Sequence, residues 1–240
     1  MNVAAVEEFK LDFHGPVGSY FKKMRKDCRG VNSEAYRNAE DAKVYPTNRR
    51  WIQFLDGAEK ITQNYIDHDG KVRISELAQQ AYGYKIRECS DPVKFINGLS
   101  RKPKYQTVLK NAPGENEQID GFSIPQKRKI YFRKGISKEQ KNFVIAHELS
   151  HFLLGHNGEV FYKTSIKPKT LHEREEYNEE ADRLAAILLM PHVYMQDLLE
   201  TPNDELARRF DVPENAIEKR KIEVAREITV FCYTPASVRI

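Results

Sequence analysis

The sequence predicts a fold of mixed helices and strands, in which helices pack onto a small sheet. Residues 74–84, ISELAQQAYGY, carry apolar residues at helical spacing, and KIREC at 85–89 has the form of a short strand. Residues 119–134, IDGFSIPQKRKIYFRK, are typical of a β-hairpin, since two apolar runs flank a turn that begins with proline. We therefore expect a helix that packs onto a sheet, followed by a hairpin.

Basic residues surround the second strand of this hairpin, residues 130–132. Lysines and arginines in such positions protect edge strands from pairing with other chains, so we expect this strand at an edge of the sheet. An edge strand can also pair with an extended peptide segment. A binding patch is the alternative interpretation of the same basic residues.

Three helical segments are expected after the hairpin. Ser137 is placed to cap the first, with Gln140 three residues later as in a capping box, and this helix continues to Gly155. The acidic stretch HEREEYNEEAD at 172–182 opens the second helix, which stops at Pro191. The tail resembles a helix-turn-helix fragment, because its apolar residues are spaced as in two short helices joined by a turn: Leu206, Ala207, Phe210, Val212 and Ile217.

Composition excludes several classes of protein. The cysteines, Cys28, Cys89 and Cys232, form no C-x-x-C pair, so neither a disulfide framework nor a cysteine zinc ribbon is expected. No apolar stretch approaches the ~20 residues that span a bilayer, and the N-terminus lacks a leader-like pattern. We expect a soluble protein of the cytoplasm that does not contact membranes. The net charge of +4 is too small to predict nucleic-acid binding by itself.

The stretch FVIAHELSHFLLGH, residues 143–156, contains the side chains that indicate a catalytic metal site. His147 and His151 are four residues apart, so on a helix both rings point the same way and can offer nitrogen atoms to one metal ion. Glu148 lies beside the first histidine, where its carboxylate can take a proton from an activated water. This is the H-E-x-x-H arrangement of zinc metallopeptidases.

A chance match is the alternative, since this pentapeptide arises by accident in roughly one chain of this length in a hundred. The apolar neighbours favour the metal site, because they predict a buried helix, in which two histidines and a glutamate are costly unless something binds them. The metzincin pattern, with glycine at 154 and histidine at 157, is absent, since Leu154 and Asn157 occupy those positions. The acidic helix 172–190 is the expected source of a third ligand.

The segment HELSH, followed by EADRLAAILLMP at 180–191, resembles the ImmA/IrrE family of metallo-endopeptidases. The resemblance covers roughly residues 70–225 and leaves the first seventy residues uncovered. It implies an α+β, zincin-like domain with a small antiparallel or mixed sheet, an HExxH active-site helix and small C-terminal helices. It also implies a cytoplasmic enzyme that cleaves a helix-turn-helix transcriptional repressor and so derepresses stress-response or mobile-element genes, such as those of a prophage.

The resemblance implies a role for each residue that matches the family's motifs. His147 and His151 correspond to the histidine ligands of one Zn²⁺ per chain, and Glu148 corresponds to the catalytic base. Asp182 corresponds to the residue that supports the site from behind, by orienting a ligand histidine. The third ligand of the family, a glutamate, corresponds to Asn178 here, and an amide oxygen is a poorer zinc ligand than a carboxylate.

The identity of the third ligand is therefore open. We predict Glu179, the next residue along the helix, with Asn178 and Glu175 as competitors. The other interpretation of the acidic residues is a solvated helix start, where carboxylates favour the positive end of the helix dipole. The carboxylates concerned are Glu173, Glu175, Glu176, Glu179 and Glu180.

We expect three regions along the chain. Residues 1–70 form an N-terminal extension to which no role is assigned, residues 71–195 form the metallopeptidase domain, and residues 196–240 form a helical tail packed on that domain.

The alternative function is a zincin-like module with weak or absent catalysis that binds a protein partner or DNA. Asn178 motivates it, and the basic stretches 21–29, 94–110 and 127–134 would then carry the interaction together with the tail. DNA is not favoured, because the second helix of the tail mixes glutamates with lysines and arginines and shows no cluster of base-reading residues.

Overall fold

The computed structural model describes residues 48–100, 118–156, 161–164 and 172–232. Within these ranges lie α1 (Asn48–Thr62), α2 (Ile74–Glu76, continued by a π-helical turn at Leu77–Ala81), β1 (Lys85–Cys89), α3 (Pro92–Ser100), β2 (Ile119–Ile124), β3 (Lys129–Arg133), α4 (Lys138–Leu153), β4 (Phe161–Thr164), α5 (His172–Leu189), α6 (His192–Met195), α7 (Asn203–Phe210) and α8 (Glu214–Cys232). The predicted basic stretch 21–29 and the greater part of 94–110 lie outside the described residues.

The four strands form one mixed sheet in the order β1-β3-β2-β4. Strand β3 pairs in parallel with β1 and antiparallel with β2, and β2 pairs antiparallel with β4. The predicted hairpin is confirmed as β2 and β3, and the predicted strand at 85–89 is β1. The α+β class with a small mixed sheet is therefore confirmed.

The position predicted for the second hairpin strand is wrong. Strand β3 lies inside the sheet, because both of its main-chain edges are occupied by β1 and β2. Its central residues Ile130 and Tyr131 are buried, while the basic residues lie toward the ends of the strand. The basic flanks therefore did not mark an edge, and β3 has no free edge to pair with a peptide.

Helix α4 begins at the predicted cap. The Ser137 hydroxyl accepts a hydrogen bond of 3.2 Å from the backbone N–H of Gln140. The side chain of Gln140 does not return to the cap as a capping box requires, since its amide donates at 3.2 Å to Asp120 Oδ2 on β2. Gly155 follows the helix with φ +61°, a left-handed conformation that reverses the chain direction at little steric cost.

Helix α4 lies between the sheet and α5, and it packs against both. The approach to the sheet is close at Gly121 of β2, where an added Cβ atom would lie 2.1 Å from Val144 Cγ1. A smaller apolar cluster occupies the other face of the sheet under α3, with Ile96, Phe122 and Tyr131 in it. The sheet therefore separates α3 from α4 and α5, and α4 is the central element.

The main core joins α4 and α5 to the surrounding helices. From the predicted N-terminal extension, Leu55, Ala58 and Ile61 of α1 pack into it. From the tail, α7 and α8 contribute Phe210 and Ile217. The two predicted tail helices are present, but the second is 19 residues long rather than short. None of the helices in the described part of the chain combines the length and the hydrophobicity that a membrane-spanning helix needs.

A buried polar cluster fixes α8 against the end of α5. Arg220, fully buried, donates from Nε to the Met190 carbonyl oxygen at 3.1 Å and from Nη1 to Glu227 Oε1 at 2.7 Å. The other oxygen of Glu227 lies 2.7 Å from His192 Nδ1. A buried arginine of this kind is stable only because its charge and its donors are matched.

Candidate metal centre

The two histidines of the HELSH segment face each other from successive turns of α4. Both are fully buried, and the distance from His147 Nε2 to His151 Nε2 is 3.1 Å. Two nitrogen ligands of one tetrahedral zinc ion, each at about 2.0–2.1 Å from the metal, lie roughly 3.3 Å apart. The pair therefore has the spacing that two ligands of one zinc ion require.

Asp182 lies behind the first histidine. Its Oδ1 atom is 2.7 Å from His147 Nδ1, and the contact joins α5 to α4. Because a carboxylate only accepts hydrogen bonds, the proton of a neutral His147 belongs on Nδ1. The lone pair is then on Nε2 and points toward His151, which is the arrangement that the predicted role of Asp182 requires.

A corresponding chain of contacts lies behind the second histidine. His151 Nδ1 is 2.8 Å from His156 Nδ1, and His156 Nε2 is 2.7 Å from Glu180 Oε2. Glu180 is 6% exposed and the ring of His156 is fully buried. The ring of Tyr177 covers that of His156, with 4.4 Å between the ring centroids.

Sequence reasoning missed this second chain of contacts. The sequence assigns His156 no role, because the histidine of the metzincin pattern would stand at position 157. One interpretation of the sequence groups Glu180 with the carboxylates of a solvated helix start. This interpretation is wrong for Glu180, which is buried against His156. A histidine directly after the helix-ending glycine was the available indication, since such a residue folds back toward the preceding turn.

The predicted base, Glu148, is fully buried beside the histidines. The Ser123 hydroxyl on β2 donates a hydrogen bond of 2.6 Å to Glu148 Oε2. Ser123 was not predicted, although the alternation of IDGFSI places it on the sheet face opposite Phe122 and Ile124. A polar residue on an otherwise apolar inward face was the indication.

Tyr84 completes the polar surroundings of the base. Burial raises the pKa of its hydroxyl well above the usual value, the Arg128 guanidinium opposes this shift, and the negative charge of Glu148 adds to it. The ring packs edge-on against Phe152, one turn beyond Glu148 on α4. The hydroxyl therefore stays protonated and can serve only as a neutral group near the carboxylate.

The candidates for the third ligand differ in exposure. Glu179, the predicted ligand, is exposed, Asn178 is half-buried, and the side chain of Glu175 lies outside the described part of the chain. Among the residues that the structure describes, no group of three or more His, Cys, Asp or Glu side chains is arranged to hold a metal ion. The third ligand stays a prediction.

The donor set fits a zinc site at two positions. Two imidazole nitrogens converge, each ring is backed by a chain that ends in a carboxylate, and a buried glutamate lies beside them. Nitrogen donors of this kind suit zinc, whereas oxygen-only sets suit magnesium or calcium. The arrangement can hold a divalent ion next to a group that accepts protons.

A comparison with known families finds a match over the part of the chain that carries the histidine cluster. Residues 104–221 match the family model described as the IrrE N-terminal-like domain, peptidase M78. The matched residues include α4, α5 and His156 between them, which together carry the histidine cluster. No curated protein matches the sequence.

Proposed function

Because the chain carries an IrrE N-terminal-like domain of the peptidase M78 family, as the resemblance to the ImmA/IrrE family implied, we propose that it is a zinc-dependent endopeptidase with a zincin-like active site. The family is one of metallopeptidases, which supports hydrolysis of peptide bonds as the reaction. The observation that carries the proposal is the convergence of His147 Nε2 and His151 Nε2 at 3.1 Å, inside a buried helix.

In this proposal His147 and His151 hold the ion through their Nε2 atoms. The third ligand comes from α5, and Glu179, Asn178 and Glu175 are its candidates. A bound zinc ion would supply Lewis-acid activation of the attacking water and of the scissile carbonyl group. Asp182 keeps the proton of His147 on Nδ1, so that Nε2 stays available.

Glu148 is the proposed general base. Its carboxylate takes the proton of the attacking water and returns it to the nitrogen atom of the leaving amine. Ser123 occupies one carboxylate oxygen through its hydrogen bond, which fixes the plane of the carboxyl group. Burial of both residues excludes bulk water and so strengthens the electrostatic interactions of the carboxylate.

We propose a helix-turn-helix transcriptional repressor in the cytoplasm as the substrate, with derepression of stress-response or mobile-element genes as the result. The family resemblance supports this choice. Cleavage requires a segment of the repressor that is accessible or that opens transiently, rather than its folded core.

The alternative is a zincin-like module with weak or absent catalysis that binds a protein partner or DNA. The observation that favours it is Asn178, an amide at the position of the family's glutamate ligand, half-buried on α5. Such a module would use the fold as a recognition surface and would not depend on Glu148.

The test combines metal content with cleavage. We expect about one zinc ion per chain by elemental analysis of the purified protein, together with hydrolysis of a library of internally quenched fluorescent peptides. The Glu148→Gln variant should keep its zinc and lose hydrolysis, because the amide cannot accept the proton. A protein that holds no zinc and hydrolyses no peptide would contradict the proposal and favour the binding module. Hydrolysis that survives in Glu148→Gln would exclude Glu148 as the general base.

A further inference from the structure

We propose that His156 and Glu180 are positioning residues for His151, and that they do for the second metal-binding histidine what Asp182 does for the first. The inference rests on the proposed metallopeptidase function and deepens it. It assigns a role to two residues that lie outside the H-E-x-x-H segment and outside the set of third-ligand candidates.

The contacts form one continuous chain. Glu180 Oε2 lies 2.7 Å from His156 Nε2, and His156 Nδ1 lies 2.8 Å from His151 Nδ1. The remaining nitrogen of His151, Nε2, lies 3.1 Å from His147 Nε2. Each nitrogen of His151 thus has a separate contact, one with the positioning pair and one with the partner histidine.

The direction of the hydrogen bonds follows from the carboxylate at the end of the chain. Glu180 accepts from His156 Nε2–H, so a neutral His156 carries its lone pair on Nδ1. That lone pair accepts from His151 Nδ1–H, and the lone pair of His151 is then on Nε2. Asp182 fixes His147 in the same way, so both Nε2 lone pairs face one point.

Two facing lone pairs repel each other unless a cation lies between them. The carboxylates at 180 and 182 therefore prepare the two histidines for a positive ion before it arrives. Both carboxylates come from α5 and both histidines from α4. The packing of these two helices sets both ring orientations at once.

The ring of His156 is held in place independently of His151. Gly155, with φ +61°, turns the chain so that the backbone N–H of His156 donates to the His151 carbonyl oxygen at 3.0 Å. Tyr177 covers the face of the ring. A ring fixed by backbone, carboxylate and aromatic contacts can orient a neighbour, whereas a mobile ring cannot.

The competing explanation is a purely structural pair that satisfies buried groups. His192 and Glu227 form such a pair elsewhere in the protein, with the same 2.7 Å separation and similar burial. A structural pair contributes to folding and leaves the metal affinity unchanged. The two explanations therefore differ in what the pair does to zinc binding.

The test measures zinc affinity by competition with a chromophoric chelator in the full chain. The double variant His156→Phe/Glu180→Met keeps a planar aromatic ring at position 156 and leaves no unmatched buried charge, so the fold should persist. We expect zinc to bind about 10- to 100-fold more weakly, as is usual when the residue behind a histidine ligand is lost. His156→Gln should restore much of the affinity, because its amide can accept from His151 and donate to Glu180.

The matched control is His192→Phe, which removes a buried histidine from the histidine–glutamate pair between α6 and α8, outside the histidine cluster. It should lower the temperature of unfolding and leave the zinc affinity unchanged, because the contacts of Arg220 and Glu223 that hold α8 against α5 and its end remain. Equal zinc affinities in the wild type and the double variant would overturn the positioning role. Absence of zinc binding in the wild type would instead overturn the proposed function.

A second readout reports the hydrogen bond itself. With the imidazole rings labelled with nitrogen-15, a scalar coupling between His151 Nδ1 and His156 Nδ1 is expected in NMR spectra, with the proton attached to His151 Nδ1. The coupling should disappear in the double variant and survive in His192→Phe. A wild-type protein without the coupling would show that the chain of contacts does not form, whatever its zinc affinity.

Discussion

Ser123 Oγ and Glu148 Oε2 are 2.6 Å apart, so the sheet holds one oxygen of the proposed base. Both residues are fully buried, which makes this a strong charge-assisted hydrogen bond. The contact ties β2 to α4 at the site. The orientation of the carboxylate thus depends on the sheet as well as on the helix that carries it.

Replacing Ser123 should therefore impair catalysis without removing the metal. We expect Ser123→Ala to lower kcat/KM for quenched peptides roughly tenfold. A general base accelerates a reaction about 10²–10⁴-fold, and a misoriented base loses part of this acceleration. Zinc content should stay the same. Ser123→Thr keeps the hydroxyl and is the control; a rate equal to that of Ser123→Ala would mean that the hydrogen bond is not what matters.

The third ligand is tested by changing each candidate separately. Asn178→Glu should raise the zinc affinity, because a carboxylate is the better ligand at the position that the family uses. If Glu179 is the ligand, Glu179→Gln should weaken binding by more than about 100-fold, beyond the usual cost of losing a supporting residue. Chelator competition measures both variants, with Glu175→Gln alongside. Unchanged affinity in Glu179→Gln would remove Glu179 from consideration.

Gly121 sets the distance between the sheet and α4. An added Cβ atom would lie 2.1 Å from Val144 Cγ1, so Gly121→Ala should destabilise the protein by about 1–3 kcal/mol. Urea unfolding followed by circular dichroism measures the change. The double variant Gly121→Ala/Val144→Ala removes the clashing methyl group and should recover part of the loss; no recovery would place the strain elsewhere.

The buried cluster around Glu227 should make stability depend on acid pH. Burial by itself raises the pKa of Glu227, but His192 and Arg220 more than offset it, and the net pKa lies below the ordinary value of 4.5. The stabilisation is therefore complete above about pH 4.5 and is lost as the pH falls through the lower folded-state value.

Urea unfolding between about pH 3 and pH 7 tests this dependence. Glu227→Gln should be less stable than the wild type at neutral pH and should lose less stability on acidification. Glu218→Gln, an exposed glutamate on the same helix, should follow the wild-type curve. Parallel curves for Glu227→Gln and the wild type would show that the cluster does not titrate in this range.

Local patterns in the sequence predicted the elements well. The cap at Ser137, the hairpin, the strand at 85–89 and the end of α5 before Pro191 depend on neighbouring residues, and the structure contains all four. The resemblance that names the family was carried by the HELSH and EADRLAAILLMP segments, and the family match confirms it.

Contacts between segments that are distant in the chain could not be predicted from the sequence. The charged residues around β3 indicated an edge strand. The position of β3 in the sheet depends instead on β1, which pairs with β3 and covers its second edge. Gln140 fits a capping box, yet Asp120 of β2 offers its side chain another acceptor. On α5 the sequence could not separate exposed Glu179 from buried Glu180, because adjacent residues differ only in the direction they face.

The hydrogen bond from Arg220 to the Met190 carbonyl oxygen links the C-terminal helix α8 to the end of α5. Arg183 of α5 also forms an ion pair with Glu223 of α8 at 2.7 Å, so α8 restrains the helix that carries Glu180 and Asp182. Coupling between two equilibria is reciprocal. If docking of α8 raises the zinc affinity by some factor, bound zinc raises the equilibrium constant for docking of α8 by the same factor. If the chain holds zinc as proposed, the bound metal would strengthen the packing of α8 against the domain, and a ligand that displaces α8 would weaken metal binding.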